Sequence, residues 1–143
     1  MSEFVERLKE YMEDAHMSGT DMAKTLGCSR VTISNLLNGA HEPSTALLIK
    51  MAECFNCSTD YLLGLTDYPE SKSDGKARNF SEQLRSCLKM SGKTEYRLQK
   101  DLNISRSLTY RWLSGKAIPT VDSLIALAKY FGCTVDYLLG REN

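Results

Sequence analysis

A chain of 143 residues, 42% hydrophobic with 18 basic and 18 acidic side chains, has room for one ordinary globular domain or two small ones. No apolar run approaches the roughly 18 residues a membrane span needs, and the acidic, amphipathic start is not that of a signal peptide. Five cysteines, an odd number, argue against a disulfide framework and for a reducing, cytoplasmic setting.

In chain order, Phe4, Leu8 and Met12 recur at helical spacing and predict a first helix. Ser18, with Asp21 three residues on, is a near capping box. It opens a second helix that carries Met22, Ala23 and Leu26 inward and stops near Gly27. Ser29 caps a third helix bearing Ile33, Leu36 and Leu37, and Asn38-Gly39 ends it, the glycine suited to a left-handed stop. Pro43-Ser44 opens a fourth helix whose buried stripe is Leu47, Leu48, Met51 and Ala52. Ser58 caps a short fifth helix, with Asp60 well placed against its N-terminal dipole.

Residues 68–79 are polar, contain Pro69 and Gly75, and have no apolar period, so they read as a linker. Extended, such a stretch spans at most roughly 40 Å. Beyond it the chain repeats itself. A shift of 76 residues lays Phe4–Asp67 over Phe80–Asn143 without a gap, with about twenty identical pairs. Asn79 with Glu82, then Thr94, Ser105, Gly115, Pro119-Thr120 and Thr134 punctuate this half at the same places. The expected architecture is therefore all-α. A five-helix unit spans residues 1–67, a linker 68–79 and a second five-helix unit 80–143, each unit near the lower size limit for folding on a core alone.

The halves differ in charge. Residues 1–68 hold five Lys/Arg against ten Asp/Glu, a balance of −5; residues 69–143 hold thirteen against eight, a balance of +5. A polyanion would repel the first half and attract the second.

Helices two and three are joined by a very short turn, Leu26-Gly-Cys-Ser-Arg30, and so are their counterparts, Leu102-Asn-Ile-Ser-Arg106. Two short helices on a tight turn, the second starting with polar residues, form the helix-turn-helix plan. In that plan the second helix enters the DNA major groove and its first side chains reach base edges. The residues Met22-Ala-x-x-Leu-Gly-Cys-Ser-Arg-x-Thr-Ile-Ser34, Asn38-Gly39, Pro43 and the closing Cys-Ser-x-Asp-Tyr-Leu-Leu resemble the lambda-repressor/Cro (XRE-type) helix-turn-helix family, and the resemblance covers both units. It implies a five-helix DNA-binding domain that usually works as a dimer on a double-stranded operator, most often as a transcriptional repressor of bacterial or phage type.

Transferred by position, the resemblance implies base reading by Arg30, Val31 and Asn35 in the first unit and by Arg106, Ser107 and Arg111 in the second. The chemistry fits: arginine pairs with guanine O6 and N7, asparagine with adenine N6 and N7, and valine touches a thymine methyl. Phosphate contacts fall on Ser18, Gly19 and Asn38, and on Thr94, Ser114 and Lys116, with backbone N–H groups at a helix start suited to an anion. The chain departs from the family pattern at Ala40-His-Glu42, where basic residues are common, at Glu95, which would face a phosphate, at Asn103, which replaces the turn glycine, and at Leu37 and Leu113. The second unit is thus the better candidate for DNA.

Blander readings stand beside these. Arg30 and Arg106 are also what a solvated surface carries, and Tyr110 is as suited to packing as to phosphate. Trp112, in register with Leu36, belongs to the core. Cys54-x-x-Cys57 has no second pair and no histidine at ligand spacing, so Cys57 and Cys133 read as buried thiols rather than metal ligands. The phosphate-cradling glycine loop, H-E-x-x-H and G-x-S-x-G are all missing, so no enzymatic activity, cofactor or small-molecule substrate is expected. Two arrangements fit: an intrachain pseudo-dimer reading unlike half-sites, or a homodimer with one unit per half-site, for which Leu62-Leu63-Gly-Leu65 offers an apolar end. The alternative function is an interaction regulator whose acidic unit binds protein while only the second unit, or neither, binds DNA.

Overall fold

The computed structural model describes residues 2–71 and 78–142, Ser2 by its backbone alone. The chain divides into two compact units, Met1–Ser71 and Lys72–Asn143. The expected linker is described only at its ends, since residues 72–77 lie outside the described residues.

The first unit consists of α1 (Ser2–Asp14), α2 (Gly19–Leu26), α3 (Arg30–Leu37), α4 (Thr45–Phe55) and α5 (Thr59–Leu62). The second consists of α6 (Phe80–Ser91), α7 (Glu95–Leu102), α8 (Arg106–Leu113), α9 (Val121–Phe131) and α10 (Val135–Leu138). No strand occurs among the described residues, and none of their helices is long and apolar enough to cross a membrane.

Local chemistry starts every helix from α2 onward. Ser18, Ser29, Ser44, Ser58, Asn79, Thr94, Ser105, Thr120 and Thr134 each sit in extended backbone and accept the N–H three residues on. A cap of this kind contributes about 1 kcal/mol, which matters where each helix has few turns. Three helix ends use a left-handed residue that is glycine in only one unit: His16 against Gly92, Gly27 against Asn103, Asn56 against Gly132. The turn in front of the third helix therefore keeps its geometry through Asn103, at φ +54, although its glycine is gone.

The core of the first unit comes from Phe4 and Leu8 on α1, Met22 on α2, Ile33 and Leu36 on α3, Leu48 and Met51 on α4, and Leu62 on α5. Leu37 and Leu47, expected inside, are only half-buried. Leu37 ends α3 and lines an open groove with Met12 and Met17, and Leu47 lines another with Pro43 and Asn35. In the second unit Trp112 is 1% exposed and meets Phe80 edge-on, with ring centroids 6.0 Å apart. Leu84, Leu98, Leu124, Leu127, Val135 and Leu138 complete that core. Cys57 is buried as expected, whereas Cys133 is half-exposed.

Each unit fastens its last turn differently. In the first, the Arg7 guanidinium lies 4.0 Å from the Tyr61 ring centroid and donates to the carbonyls of Tyr61 and Thr66. In the second, Gln83 takes that position and donates to the Tyr137 carbonyl at 2.9 Å, and Arg141 pairs with buried Asp136 at 2.6 Å. Gly140 closes this turn at φ +74, and a Cβ there would lie 2.2 Å from the Arg78 carbonyl oxygen. Gly115 is equally left-handed, at φ +79, but faces open space. Gly115→Ala is therefore expected to cost about 1–2 kcal/mol, the strain of a left-handed L-residue. Gly140→Ala costs clearly more, because backbone must also move. Urea denaturation of the two variants measures the difference.

Candidate nucleic-acid interface

The inward faces of α3 and α8 fix what the outward faces present. Ile33 and Leu36 hold α3 against its unit, which leaves Arg30, Val31 and Ser34 exposed and Asn35 half-exposed. Thr109, Trp112 and Leu113 do the same for α8 and leave Arg106, Ser107, Tyr110 and Arg111 exposed. Buried Thr109 satisfies its hydroxyl on the Ser105 carbonyl at 3.0 Å. The six side chains expected to read bases thus fall on the two outward stripes, at positions one, two and six of each helix. Val31 is 67% exposed and Tyr110 60%, large apolar surfaces for the middle of a polar stripe.

The starts of the preceding helices differ in charge. At α2 the Ser18 hydroxyl accepts from the Asp21 N–H at 3.2 Å, and the Asp21 carboxylate accepts from the Ser18 N–H at 3.0 Å. That N–H holds the Asp21 carboxyl below its ordinary range, with the Ser18 hydroxyl second. An anion approaching Ser18 and Gly19 meets a carboxylate that already occupies the donor. At α7 the corresponding position is Arg97. Thr94 accepts its N–H at 3.1 Å, and its exposed guanidinium pairs with Asp101 at 3.2 Å. Asp101 in turn accepts from the Tyr130 hydroxyl at 2.5 Å, the first cause of its lowered pKa, while Lys93 lies 4.9 Å from the Tyr130 ring centroid. Thr94 and the expected intruder Glu95 are both exposed.

The loops after the third helices continue the contrast. Asn38, Ala40, His41 and Glu42 are exposed in the first unit, Ser114 and Lys116 in the second. Lys116 folds back so that its ammonium lies 5.6 Å from the Tyr110 ring centroid. From the start of α7 to the loop after α8 the second unit thus presents Lys93, Arg97, Lys100, Arg106, Arg111 and Lys116 against Glu95 and Asp101. The same stretch of the first unit presents only Lys24 and Arg30, with Asp21, and Glu42 follows just beyond it. Lys93 and Arg97 are absent from the residues expected from sequence, whereas Tyr110, by sequence equally suited to packing and to phosphate, is exposed. The signal for Lys93 and Arg97 was in the repeat, in the pairs Met17 with Lys93 and Asp21 with Arg97.

The helix-turn-helix family profile matches the chain twice, over residues 8–62 and 84–138. Among curated proteins the chain is 35% identical over 64 residues to the HTH-type transcriptional activator BcrR of Enterococcus faecalis, covering 45% of this chain and 31% of that protein. It is 36% identical over 55 residues to the ImmF control region 10 kDa protein of Bacillus phage phi105, covering 38% of this chain and 61% of that one. It is also 36% identical over 58 residues to the HTH-type transcriptional regulator ImmR of Bacillus subtilis (strain 168), covering 41% and 46%. The chain thus spans less than two thirds of each of these relatives. No solved structure matches it.

Proposed function

The chain belongs to the helix-turn-helix family through both of its units, and from that membership we propose that it is a double-stranded DNA-binding transcription regulator whose second unit makes the main DNA contact. The observation that carries the assignment to the second unit is the reversal at one backbone position, Asp21 in α2 and Arg97 in α7. Helix starts attract anions through their N–H groups and dipole. At α7, Lys93 and Arg97, the latter paired with Asp101, offset the first-turn Glu95, whereas at α2 Asp21 opposes the attraction. In this reading α8 lies in the major groove, with Arg106 and Arg111 on guanines and Ser107 between them. Thr94, Ser114 and Lys116 hold the flanking phosphates.

The first unit reads more weakly through Arg30, Val31 and Asn35, with Ser18, Gly19 and Asn38 nearest the backbone. Because the two stripes differ, an intrachain pseudo-dimer would select unlike half-sites about 34 Å, one helical turn, apart. Bound across a promoter it would act as a repressor, by excluding polymerase. The second reading, an acidic first unit that binds protein instead of DNA, is favoured by Asp21 and Glu42 on the face that would otherwise meet phosphate.

Selection from a random duplex library at low salt tests the proposal. An enriched motif containing two unlike half-sites supports reading by both units. One half-site, lost on Arg106→Ala and kept on Arg30→Ala, assigns DNA to the second unit and protein binding to the first. No enrichment refutes sequence-specific binding. Lys116→Ala is expected to weaken binding to all duplexes alike and to lower the slope of log affinity against log salt by about 0.9, one phosphate contact. A titration at several salt concentrations reads both effects.

A further inference from the structure

In the first unit the Tyr11 ring on α1 stacks on Phe55 at the end of α4, with centroids 3.6 Å apart and planes 20° apart. Its hydroxyl donates to the Cys54 carbonyl at 3.4 Å. The repeat places Cys87 where Tyr11 stands, keeps the phenylalanine as Phe131, and puts Gly132 in place of Asn56. Where the first unit holds a phenol ring, the second has a cavity of about 390 Å³ lined by Cys87, Met90, Phe131, Gly132, Cys133 and Tyr137.

We propose that this cavity is a binding site for a small phenolic ring compound, whose ring stacks on Phe131 as Tyr11 stacks on Phe55. The first unit supplies the template. Ring size, stacking partner and hydrogen-bond direction are already realised there within the same five-helix frame. The acceptor equivalent to the Cys54 carbonyl is that of Tyr130, among the last four carbonyls of α9, which a helix leaves without internal partners. Apolar cavities of roughly 150 Å³ are known to take up benzene, so this one has room for a substituted ring. Met90, 82% exposed, lines the same cavity. A flexible thioether suits a mouth that adjusts to its occupant, and sulfur makes favourable contacts with ring edges. The Cys87 thiol is held below its usual range by the neighbouring Cys133 side chain, against the opposing effect of burial. The wall beside the ring thus carries a polarised sulfur pair able to meet a ring substituent. The site does not depend on what α8 binds, but α6, which carries Cys87, also carries Phe80 against Trp112 and Arg85 on the Leu113 carbonyl. An occupant would therefore press on the helix that holds α8.

The test uses the full chain, isotopically labelled, and 4-methylphenol, the tyrosine side chain itself. Saturable resonance shifts confined to Cys87, Phe131, Gly132 and Cys133, with magnetisation transfer from the probe ring to the Phe131 ring, are the expected result. The variant Cys87→Tyr, which refills the cavity from within, is expected to abolish the shifts while keeping its helical circular dichroism. If it does not fold, the transfer to Phe131 in the unaltered chain still decides. 4-Methylcyclohexanol, equal in size but unable to stack, is expected to bind at least several-fold more weakly. Unsaturable shifts, shifts away from Phe131, shifts that survive in folded Cys87→Tyr, or equal binding of the two alcohols would each overturn the proposal.

Discussion

Arg106→Ala is expected to weaken binding to the selected duplex by about five- to a hundred-and-fifty-fold, the roughly 1–3 kcal/mol of a bidentate guanine contact. Arg30→Ala is expected to change it far less. Both arginines open the second helix of a helix-turn-helix, both are exposed, and both follow a serine cap. What separates them is their surroundings. Arg106 shares its stretch with Arg97, Arg111 and Lys116, and on the proposed reading DNA held by those charges keeps it at a base edge. Arg30 shares its stretch with Lys24, Asp21 and Glu42, so on the proposed reading the duplex is held less firmly there. Arg106→Ala also relaxes preference at one base pair, whereas Lys116→Ala leaves the preference intact. Electrophoretic mobility shifts on the selected site and on single-base variants distinguish the two. Equal losses for Arg30→Ala and Arg106→Ala would refute the assignment to the second unit.

Trp112→Ala removes the largest buried side chain of the second unit and is expected to cost about 3–5 kcal/mol. Domains as a class have only about 5–15 kcal/mol of stability, and a unit this small stands at the low end. The substitution leaves a hole against Phe80, on the helix from which Arg85 reaches the Leu113 carbonyl. The second unit is then expected to unfold near physiological temperature, with loss of about half the helical circular dichroism and of DNA binding together. Leu36→Ala, the equivalent change in the first unit, costs about 2–5 kcal/mol and is expected to spare DNA binding. The outcome against this account is a Trp112→Ala protein with its full helical signal.

The fold was legible because its punctuation is local. A serine, threonine or asparagine before an apolar period sets a helix start through atoms three residues apart, and every such residue named from sequence caps the helix expected of it. The outward stripes were legible for the same reason, since Ile33 and Leu36 already fix the other face of α3. What sequence did not disclose depends on partners far along the chain. Asp101 meets Tyr130 across 29 residues, which no spacing rule links. Leu47 has the period of a core residue but stands in the first turn of α4, where the neighbouring loop leaves it half covered. The near capping box at Ser18 was visible, but not that Asp21 would occupy the N–H expected to serve a phosphate. The ring-sized cavity follows from reading Tyr11 and Cys87 as one position, which only the packed structure makes into a volume.

The left-handed residues that end α1, α2 and α4 alternate between glycine and a side chain from one unit to the other. The backbone there specifies a shape and leaves its supplier open. A hybrid that runs from the first unit's α1 and α2 into the second unit's α8, α9 and α10 crosses at Gly27 or Asn103 with no change of chain direction. Residues on either side keep their own neighbours along the chain, and what such a hybrid changes is the packing of α1 and α2 against the helices beyond the seam. The turn closed by Gly64 or Gly140 offers no such freedom, because in each unit it already touches the residues just before or within the opening helix.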